Sequence, residues 1–166
     1  QRDDYIGGVN RGISLTSYTQ IHSSGTGANA GSVTLHGVGG VEAATEPGRN
    51  FTNQNMGVFV HNNASFAPTL SSENGDVSLT GIALSPTGNS AGLYLAGLSM
   101  QGGGDADVYL SGEGIVDVHF VTGYSNEVTA ASGDILIEAD TLSNVAGAAS
   151  LSSQPGGAGT AGRLFI

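Results

Sequence analysis

Residues 73–81 read Glu-Asn-Gly-Asp-Val-Ser-Leu-Thr-Gly, and the centre of this stretch, a small or acidic residue followed by apolar-x-apolar, recurs along the chain. The pattern returns at 31–35, 107–110, 133–137 and 163–166. Val33 and Val77 are 44 residues apart, Val77 and Val108 are 31 apart, and Val108 and Ile135 are 27 apart. A repeated core whose spacing drifts is typical of a solenoid, in which a constant scaffold carries loops of variable length.

A second phrase, Asn-x-Gly-apolar-x-apolar, alternates with the first. It occurs at 10–15 and 55–60, and a copy with one extra residue occupies 89–95. Gly12 and Gly57 are 45 residues apart, and Gly57 and Gly92 are 35 apart. The two phrases therefore repeat as a pair.

Both phrases alternate apolar and polar residues with a period of two, which indicates half-buried strands. Val, Ile and Leu take the inward positions, and Ser, Thr, Tyr and His take the outward ones. We expect the Gly and Asn residues at each strand entrance to supply the positive φ angles of sharp corners. No window has helical periodicity, so the sequence predicts an all-β fold.

Three short strands per turn, each stacked on its equivalent in the next turn, predict a right-handed parallel β-helix, a solenoid with short Gly/Asn corners. The predicted turns span 12–49, 57–90, 92–112 and 115–140, followed by an incomplete turn ending at Ile166. The whole chain, 1–166, is then one domain. An antiparallel sandwich or barrel is the alternative, although Asn74-Gly75 is the one clear hairpin signal.

Composition excludes several functional classes. The 28 Gly and 4 Pro residues form no Gly-X-Y run, which excludes collagen. A net charge of −10 disfavours nucleic acid and anionic membrane surfaces as partners. The absence of Cys excludes thiolate chemistry and Cys-based zinc sites, and no apolar run is long enough to predict membrane insertion. Because the chain lacks an initiator Met, we expect it to be processed or a segment of a longer chain. Its apolar end at 164–166 predicts that more chain follows or that the end pairs with another copy, as in a filament subunit.

The stretches 31–40, 55–60 and 73–81 resemble the repeats of filamentous-haemagglutinin-like exoproteins, the large secreted substrates of two-partner secretion. The resemblance covers roughly residues 8–140, and the Gly- and Ala-rich sequence from Asp140 onward departs from it. It implies a right-handed β-helix, a secreted or cell-surface location, and a role in adhesion or scaffolding.

Asp105 and Asp107 form a candidate calcium site. They lie in Gly-Gly-Gly-Asp-Ala-Asp-Val-Tyr-Leu at 102–110, which partly resembles the calcium-binding nonapeptide Gly-Gly-x-Gly-x-Asp-x-apolar-x. Asp105 stands where that pattern has Gly, and the motif occurs once. The competing interpretation is a solvated glycine corner with acidic residues that deter edge pairing.

Two sets of outward residues are further candidates. Asp76, Asp107 and Asp134 precede equivalent strands, so they are predicted to stack as a cation-binding or glycosidase-like ladder, unless each caps its own backbone. Tyr94 and Tyr109 are predicted to take equivalent places in neighbouring turns, as a stripe that binds sugars or packs across strands.

These features predict a structural or adhesive extracellular β-helix that is not an enzyme and requires no cofactor. Its expected partners are other copies, stacked end to end, or the rest of a longer chain, with carbohydrate or a cell surface as a further partner. The alternative is a polysaccharide-binding or polysaccharide-degrading β-helix of the lyase or tailspike kind. A lyase needs basic residues clustered in a cleft, and four scattered Arg argue against that. An ice- or mineral-binding surface is disfavoured because Thr residues form no regular ladder.

Overall fold

The structure is a computed structural model. It describes residues 10–25, 31–40, 54–63, 65–84, 89–143, 149–153 and 164–166. These residues form strands, turns and bends and no helix. The strands are β1 (Asn10–Thr16), β2 (Gln20–Ser23), β3 (Val33–Gly39), β4 (Gln54–His61), β5 (Thr69–Ser72), β6 (Val77–Ala83), β7 (Asn89–Ala96), β8 (Ser99–Gly102), β9 (Val108–Glu113), β10 (Val116–Phe120), β11 (Asn126–Ala130), β12 (Ile135–Glu138), β13 (Leu142–Ser143), β14 (Ala149–Ser153) and β15 (Leu164–Phe165).

Three parallel sheets of five strands account for the whole described fold. Sheet 1 has the order β1-β4-β7-β10-β13, sheet 2 has β2-β5-β8-β11-β14, and sheet 3 has β3-β6-β9-β12-β15. Each strand from β4 to β12 therefore pairs with the third strand before it and the third after it, and the strands at the two ends pair on one side. We call three consecutive strands, one in each sheet, a rung. The all-β, parallel prediction is confirmed, and the antiparallel alternative is wrong; Asn74-Gly75 joins β5 to β6, which belong to different sheets.

The strand register matches the repeats in the sequence. Val33 pairs with Val77, Val77 with Val108, and Val108 with Ile135. In sheet 1, the extra residue of the third copy moves its Asn by one place, so that Asn89 pairs with Gln54. The predicted loops at 45–50 and 154–159 lie outside the described residues.

The last turn was predicted to be incomplete, and this prediction is wrong. β13, β14 and β15 add one strand to each of the three sheets, as the earlier rungs do. β13 and β15 contain only two residues each. β15 coincides with the last copy of the first phrase at 163–166, whereas β13 and β14 lie in the segment after Asp140, where the sequence departs from the repeats.

Inward side chains stack into one core that runs between the sheets. Val58, Leu93 and Val118 form one column on sheet 1, and all three are fully buried. Val77, Val108 and Ile135 form a matching column on sheet 3. Full burial of each such side chain stabilises the fold by about 1.5–3 kcal/mol. The core therefore grows by a similar increment with each rung.

Buried polar side chains hold the corners between sheets. The Asn126 side chain, which is 1% exposed, accepts hydrogen bonds from the N–H groups of Gly97 at 3.0 Å and Leu98 at 2.9 Å. Its amide nitrogen donates to the Leu95 carbonyl at 3.2 Å. These bonds satisfy backbone groups that turn out of the sheets at this corner and have no ladder partner.

Glycines in the two phrases form a seam between sheet 1 and sheet 3. A Cβ on Gly57 would collide with the backbone of Gly81 and Ile82, and one on Gly81 would collide with the backbone of Gly92. The positive-φ glycines among the described residues are instead Gly97, Gly104 and Gly123. The expectation that the phrase glycines supply positive φ is therefore wrong. Gly12, Gly57 and Gly92 of the second phrase lie within strands, where a Cβ would collide with opposing backbone. Gly31, Gly75 and Gly133 of the first phrase lie just before strands and have no positive φ.

We predict that Gly57→Ala destabilises the protein by about 2–3 kcal/mol, because the new methyl group meets backbone that side-chain rotation cannot move. Urea denaturation followed by circular dichroism measures the loss. Gly31→Ala is the matched control, since a Cβ there meets only the side chain of Ser23. Equal losses in the two variants would show that the seam is not the constraint.

We predict that Asn126→Ala lowers the free energy of unfolding by about 2–3 kcal/mol, because two buried N–H groups lose their acceptor. The same denaturation experiment applies. Asn74→Ala is the control, since the exposed Asn74 amide makes a single bond to the Gly25 carbonyl at 3.2 Å. A control as unstable as Asn126→Ala would contradict the role of the corner bonds.

Candidate functional site

The three aspartates predicted to stack do so, directly before β6, β9 and β12. Asp76 Oδ1 accepts a hydrogen bond from the Asp107 N–H at 3.0 Å, and Asp107 Oδ1 accepts one from the Asp134 N–H at 2.6 Å. Capping is therefore the better of the two interpretations, with one difference. Each of these two carboxylates caps the backbone of the next rung rather than its own, so the ladder ties rungs together.

The second oxygen of Asp107 is also engaged. Tyr109 donates its hydroxyl to Asp107 Oδ2 at 3.0 Å. This hydrogen bond is the main reason that the pKa of Tyr109 is raised, and burial and the charges of Asp107, Asp76 and Asp134 act in the same direction. Both oxygens of Asp107 thus serve the protein itself.

The structure places the calcium candidates Asp105 and Asp107 in different hydrogen-bond networks. Asp105 Oδ1 lies 2.6 Å from the Ser132 hydroxyl, which is also 2.7 Å from the Gly104 carbonyl. Across the described residues, no three His, Cys, Asp or Glu side chains converge as metal ligands. Calcium takes six to eight oxygen ligands. The structure adds no third side-chain ligand to the pair, and we propose no calcium site.

Tyr94 and Tyr109 do not share a stripe, and that prediction is wrong. Tyr94 lies on β7 in sheet 1, whereas Tyr109 lies on β9 in sheet 3 and pairs with Ser78 and Leu136. The two residues look alike locally because each stands between apolar residues. That pattern predicts that the tyrosine side chain faces outward from its strand, but it does not identify the sheet to which the strand belongs.

An aromatic ladder, which we define as Arg11, Phe59, Tyr94, His119 and Ser143, crosses the outer face of sheet 1 instead. The Arg11 guanidinium lies 3.4 Å from the centre of the Phe59 ring. Phe59 stacks on Tyr94 at 5.2 Å and 12°, and Tyr94 stacks on His119 at 5.4 Å and 12°. His119 Nδ1 lies 2.7 Å from the Ser143 hydroxyl. One ladder thereby connects all five strands of the sheet.

His61 and Tyr124 extend this surface sideways. His61 stacks on Phe59 at 5.8 Å, and its Nε2 lies 3.1 Å from the Tyr124 hydroxyl. Burial lowers the pKa of His119. Burial raises the pKa of Tyr94, and the nearby Tyr124 raises it further. Since the rings cover one another's faces, the ladder stabilises the outer face of sheet 1 and leaves little free ring surface for a ligand.

Part of this ladder could have been found in the sequence. The second phrase places Ser14, Phe59 and Tyr94 at the same offset after its glycine. His119 is harder to find because Asp117 stands in the row of Gly57 and Gly92.

Asp117 is a buried carboxylate that sequence reasoning missed, with 7% exposure. Its Oδ1 accepts from the Gly114 N–H at 2.9 Å, and its Oδ2 accepts from the N–H groups of Asp140 and Thr141 at 2.8 Å each. It therefore ties the fourth rung to the start of the fifth. Like Asp76 and Asp107, it is committed to backbone hydrogen bonds.

The ends of the sheets are the remaining candidate site. β1, β2 and β3 lie at one end of the three sheets, and β13, β14 and β15 lie at the other. The N–H of the inward residue Val33 donates to the Asp76 carbonyl of the next rung at 2.8 Å. Because bonding direction alternates along a parallel strand, the N–H groups of Thr34 and His36 point away from β6. Within the described residues, these outer edges pair with no further strand.

We predict that the free energy of unfolding falls as the pH drops below about 6.5, the ordinary pKa of histidine. Burial lowers the pKa of His119 below this value. The unfolded chain therefore binds a proton at His119 at a pH where the folded chain does not, and this favours unfolding. The contribution of His119 is complete above about pH 6.5 and is lost as the pH falls toward its folded pKa. His119→Gln should reduce the difference between thermal midpoints at pH 8 and pH 5. His36→Gln, on the exposed side of β3, is the control; an unchanged pH dependence in His119→Gln would contradict the assignment.

Comparison of the chain with protein-family models, with curated proteins and with solved structures found no match in any of the three. The described residues also contain no helix long and apolar enough to cross a membrane.

Proposed function

We propose that the chain is a right-handed parallel β-helix with a structural or adhesive, non-catalytic role, and that it extends by pairing strands at its ends. The observation that carries this proposal is the pairing of every strand with the third strand along, in three parallel sheets with edges at both ends. Right-handedness follows from the strong preference for right-handed connections between parallel strands of one sheet.

The roles of the acidic side chains support a structural function. Asp76 and Asp107, which the sequence offered as a carboxylate pair, bind backbone N–H groups of the next rung. Buried Asp117 does the same. The carboxylates of these residues thus form hydrogen bonds that hold the rungs together.

The two ends are complementary in their hydrogen bonding. The backbone N–H groups of the inward residues Val33, Val77 and Val108 donate to carbonyls of the following rung. The backbone N–H of an outward residue such as Thr69 donates to a carbonyl of the preceding rung. The β1–β3 edge therefore presents the donors and acceptors of outward residues, and the β13–β15 edge presents those of inward residues. A second copy can continue the stack head to tail, which is a heterologous contact that builds filaments. Further repeats of a longer chain would use the same edges.

The resemblance to filamentous-haemagglutinin-like repeats supports a secreted or cell-surface location. The stretches that carry it contain β3, much of β4 and the first part of β6, which belong to the stacked scaffold. A scaffold of this kind displays its outer faces while the ladders supply its rigidity.

Polysaccharide binding is the second candidate function. It is favoured by a groove on the outer face of sheet 2 that is lined by hydroxyl and amide side chains. Polysaccharide degradation receives no such support, because Asp76 and Asp107, two of the three carboxylates that the sequence offered for it, accept backbone hydrogen bonds.

We predict that the purified protein forms oligomers or fibres that grow with concentration, detected by size-exclusion chromatography and negative-stain electron microscopy. Thr34→Pro should reduce this assembly, because it removes an N–H that points to the open edge and costs no bond to β6. Thr34→Val, which keeps the N–H, is the matched control. Discrete monomers of the wild-type protein at every concentration would contradict end-to-end assembly.

A further inference from the structure

We infer that the groove on the outer face of sheet 2 is a binding site for an extended, neutral glycan. The groove has a volume of about 570 Å³ and crosses all five strands of the sheet. This inference deepens the second candidate function and rests on the stacked-rung fold. It does not depend on whether the ends assemble.

A single row of side chains runs along the groove, which we call the polar row. Register places its members directly above one another in successive rungs. Neighbouring strands are about 4.8 Å apart, so the row extends about 19 Å from its first to its last strand. The polar row consists of His22, Ser71, Gln101, Thr129 and Ser152.

Small residues beside the polar row create the space. Gly103 and Ala131 line the groove on the outer side and carry no side chain larger than a methyl group, whereas Gly102 and Ala130, which also line it, occupy buried, core-facing positions. Gly103 is held at this place because a Cβ there would meet the Glu73 carbonyl at 2.6 Å. The groove is therefore a feature of the backbone and persists while the rungs stay stacked.

The side chains that line the groove favour a neutral glycan over a charged polymer. The polar row is made largely of hydroxyl and amide groups, which both donate and accept hydrogen bonds, as sugar hydroxyls do. Among the described residues that line the groove, only His22 and Glu73 are ionisable; their side chains approach to 3.7 Å, and both lie at one end of the groove. A polyanion finds no row of positive charge here, and the protein carries a net charge of −10.

An extended peptide fits this surface poorly. Peptides that add to sheets bind an open edge, where backbone N–H and C=O groups are available. The groove lies on a face, and there the backbone groups of β5, β8 and β11 are committed to ladders on both sides. Recognition must come from side chains, which favours a ligand rich in hydroxyl groups.

Two exposed aromatic rings lie at the entrance to sheet 2, outside the lining of the groove. Tyr18 precedes β2 and Phe66 precedes β5, with 65% and 61% exposure and ring centres 5.4 Å apart. Tyr18 has a φ of 69°, a left-handed conformation that costs free energy in a residue other than Gly. Exposed rings of this kind offer apolar faces for sugar rings.

Isothermal titration calorimetry with four neutral hexasaccharides tests the inference: cellohexaose, xylohexaose, maltohexaose and chitohexaose, with hexagalacturonate as the charged comparison. We expect at least one neutral hexasaccharide to bind and hexagalacturonate to bind more weakly. Gln101→Ala, in the middle of the polar row, should weaken binding about fivefold, the effect of one lost hydrogen bond. Gln20→Ala is the matched control, because Gln20 is exposed on β2 but does not line the groove.

Absence of binding to all four neutral sugars would overturn the inference. It would also fail if the double variant Ser71→Ala/Gln101→Ala bound the sugar as the wild type does, or if only an extended peptide bound. Circular dichroism and electron microscopy of the same samples separate the two proposals. A folded protein that assembles but binds no sugar overturns only the glycan site, and one that binds sugar as a monomer overturns only the assembly.

Discussion

The vertical hydrogen bonds between rungs are the constraint on which the rest of this structure depends. Most of the strands have four to eight residues, and none has a partner nearer along the chain than the third strand. Strands this short are not stable alone, so each forms only on the rung beneath it. Inward residues must then occupy the same register in every rung. Connections are under no such constraint, and this is why the repeat length drifts while the strand phrases do not.

Stacking also explains where the polar residues and glycines lie. Sheets 1 and 3 approach so closely along one seam that a Cβ on Gly57, Gly81 or Gly92 would collide with opposing backbone, and in the fourth rung Asp117 stands in the row of Gly57 and Gly92. At a corner where backbone N–H groups leave the ladders, Asn126 supplies the missing acceptor. Asp107 and Asp117 bind backbone of the following rung in the same way. Residues that suggest catalysis or metal binding in the sequence thus act as connections between rungs.

The outer faces of the three sheets differ, and this difference supports separate roles. Sheet 1 is covered by stacked rings from Phe59 to His119, and sheet 3 carries the ladder that begins at Asp76. Sheet 2 has small and hydroxylated residues and a groove. We therefore propose that sheets 1 and 3 provide rigidity, that sheet 2 contacts the ligand, and that the sheet edges at the two ends mediate assembly.

The sequence by itself determined the all-β fold, the stacking of Val33, Val77, Val108 and Ile135, and the stacking of Asp76 with Asp107 and Asp134. Alternation with a period of two and a phrase repeated at matching positions are local properties, and both are visible in one chain. Only the tertiary structure decided what lies opposite each residue. Glycine looks the same in sequence whether it supplies a positive φ or allows two backbones to touch, so the seam was missed. Tyr94 and Tyr109 share a local pattern but lie in different sheets, and the groove on sheet 2 depends on small residues from separate rungs. Such features arise from contacts between segments about 30 to 50 residues apart, and the identity of the facing segment is not encoded in either segment alone.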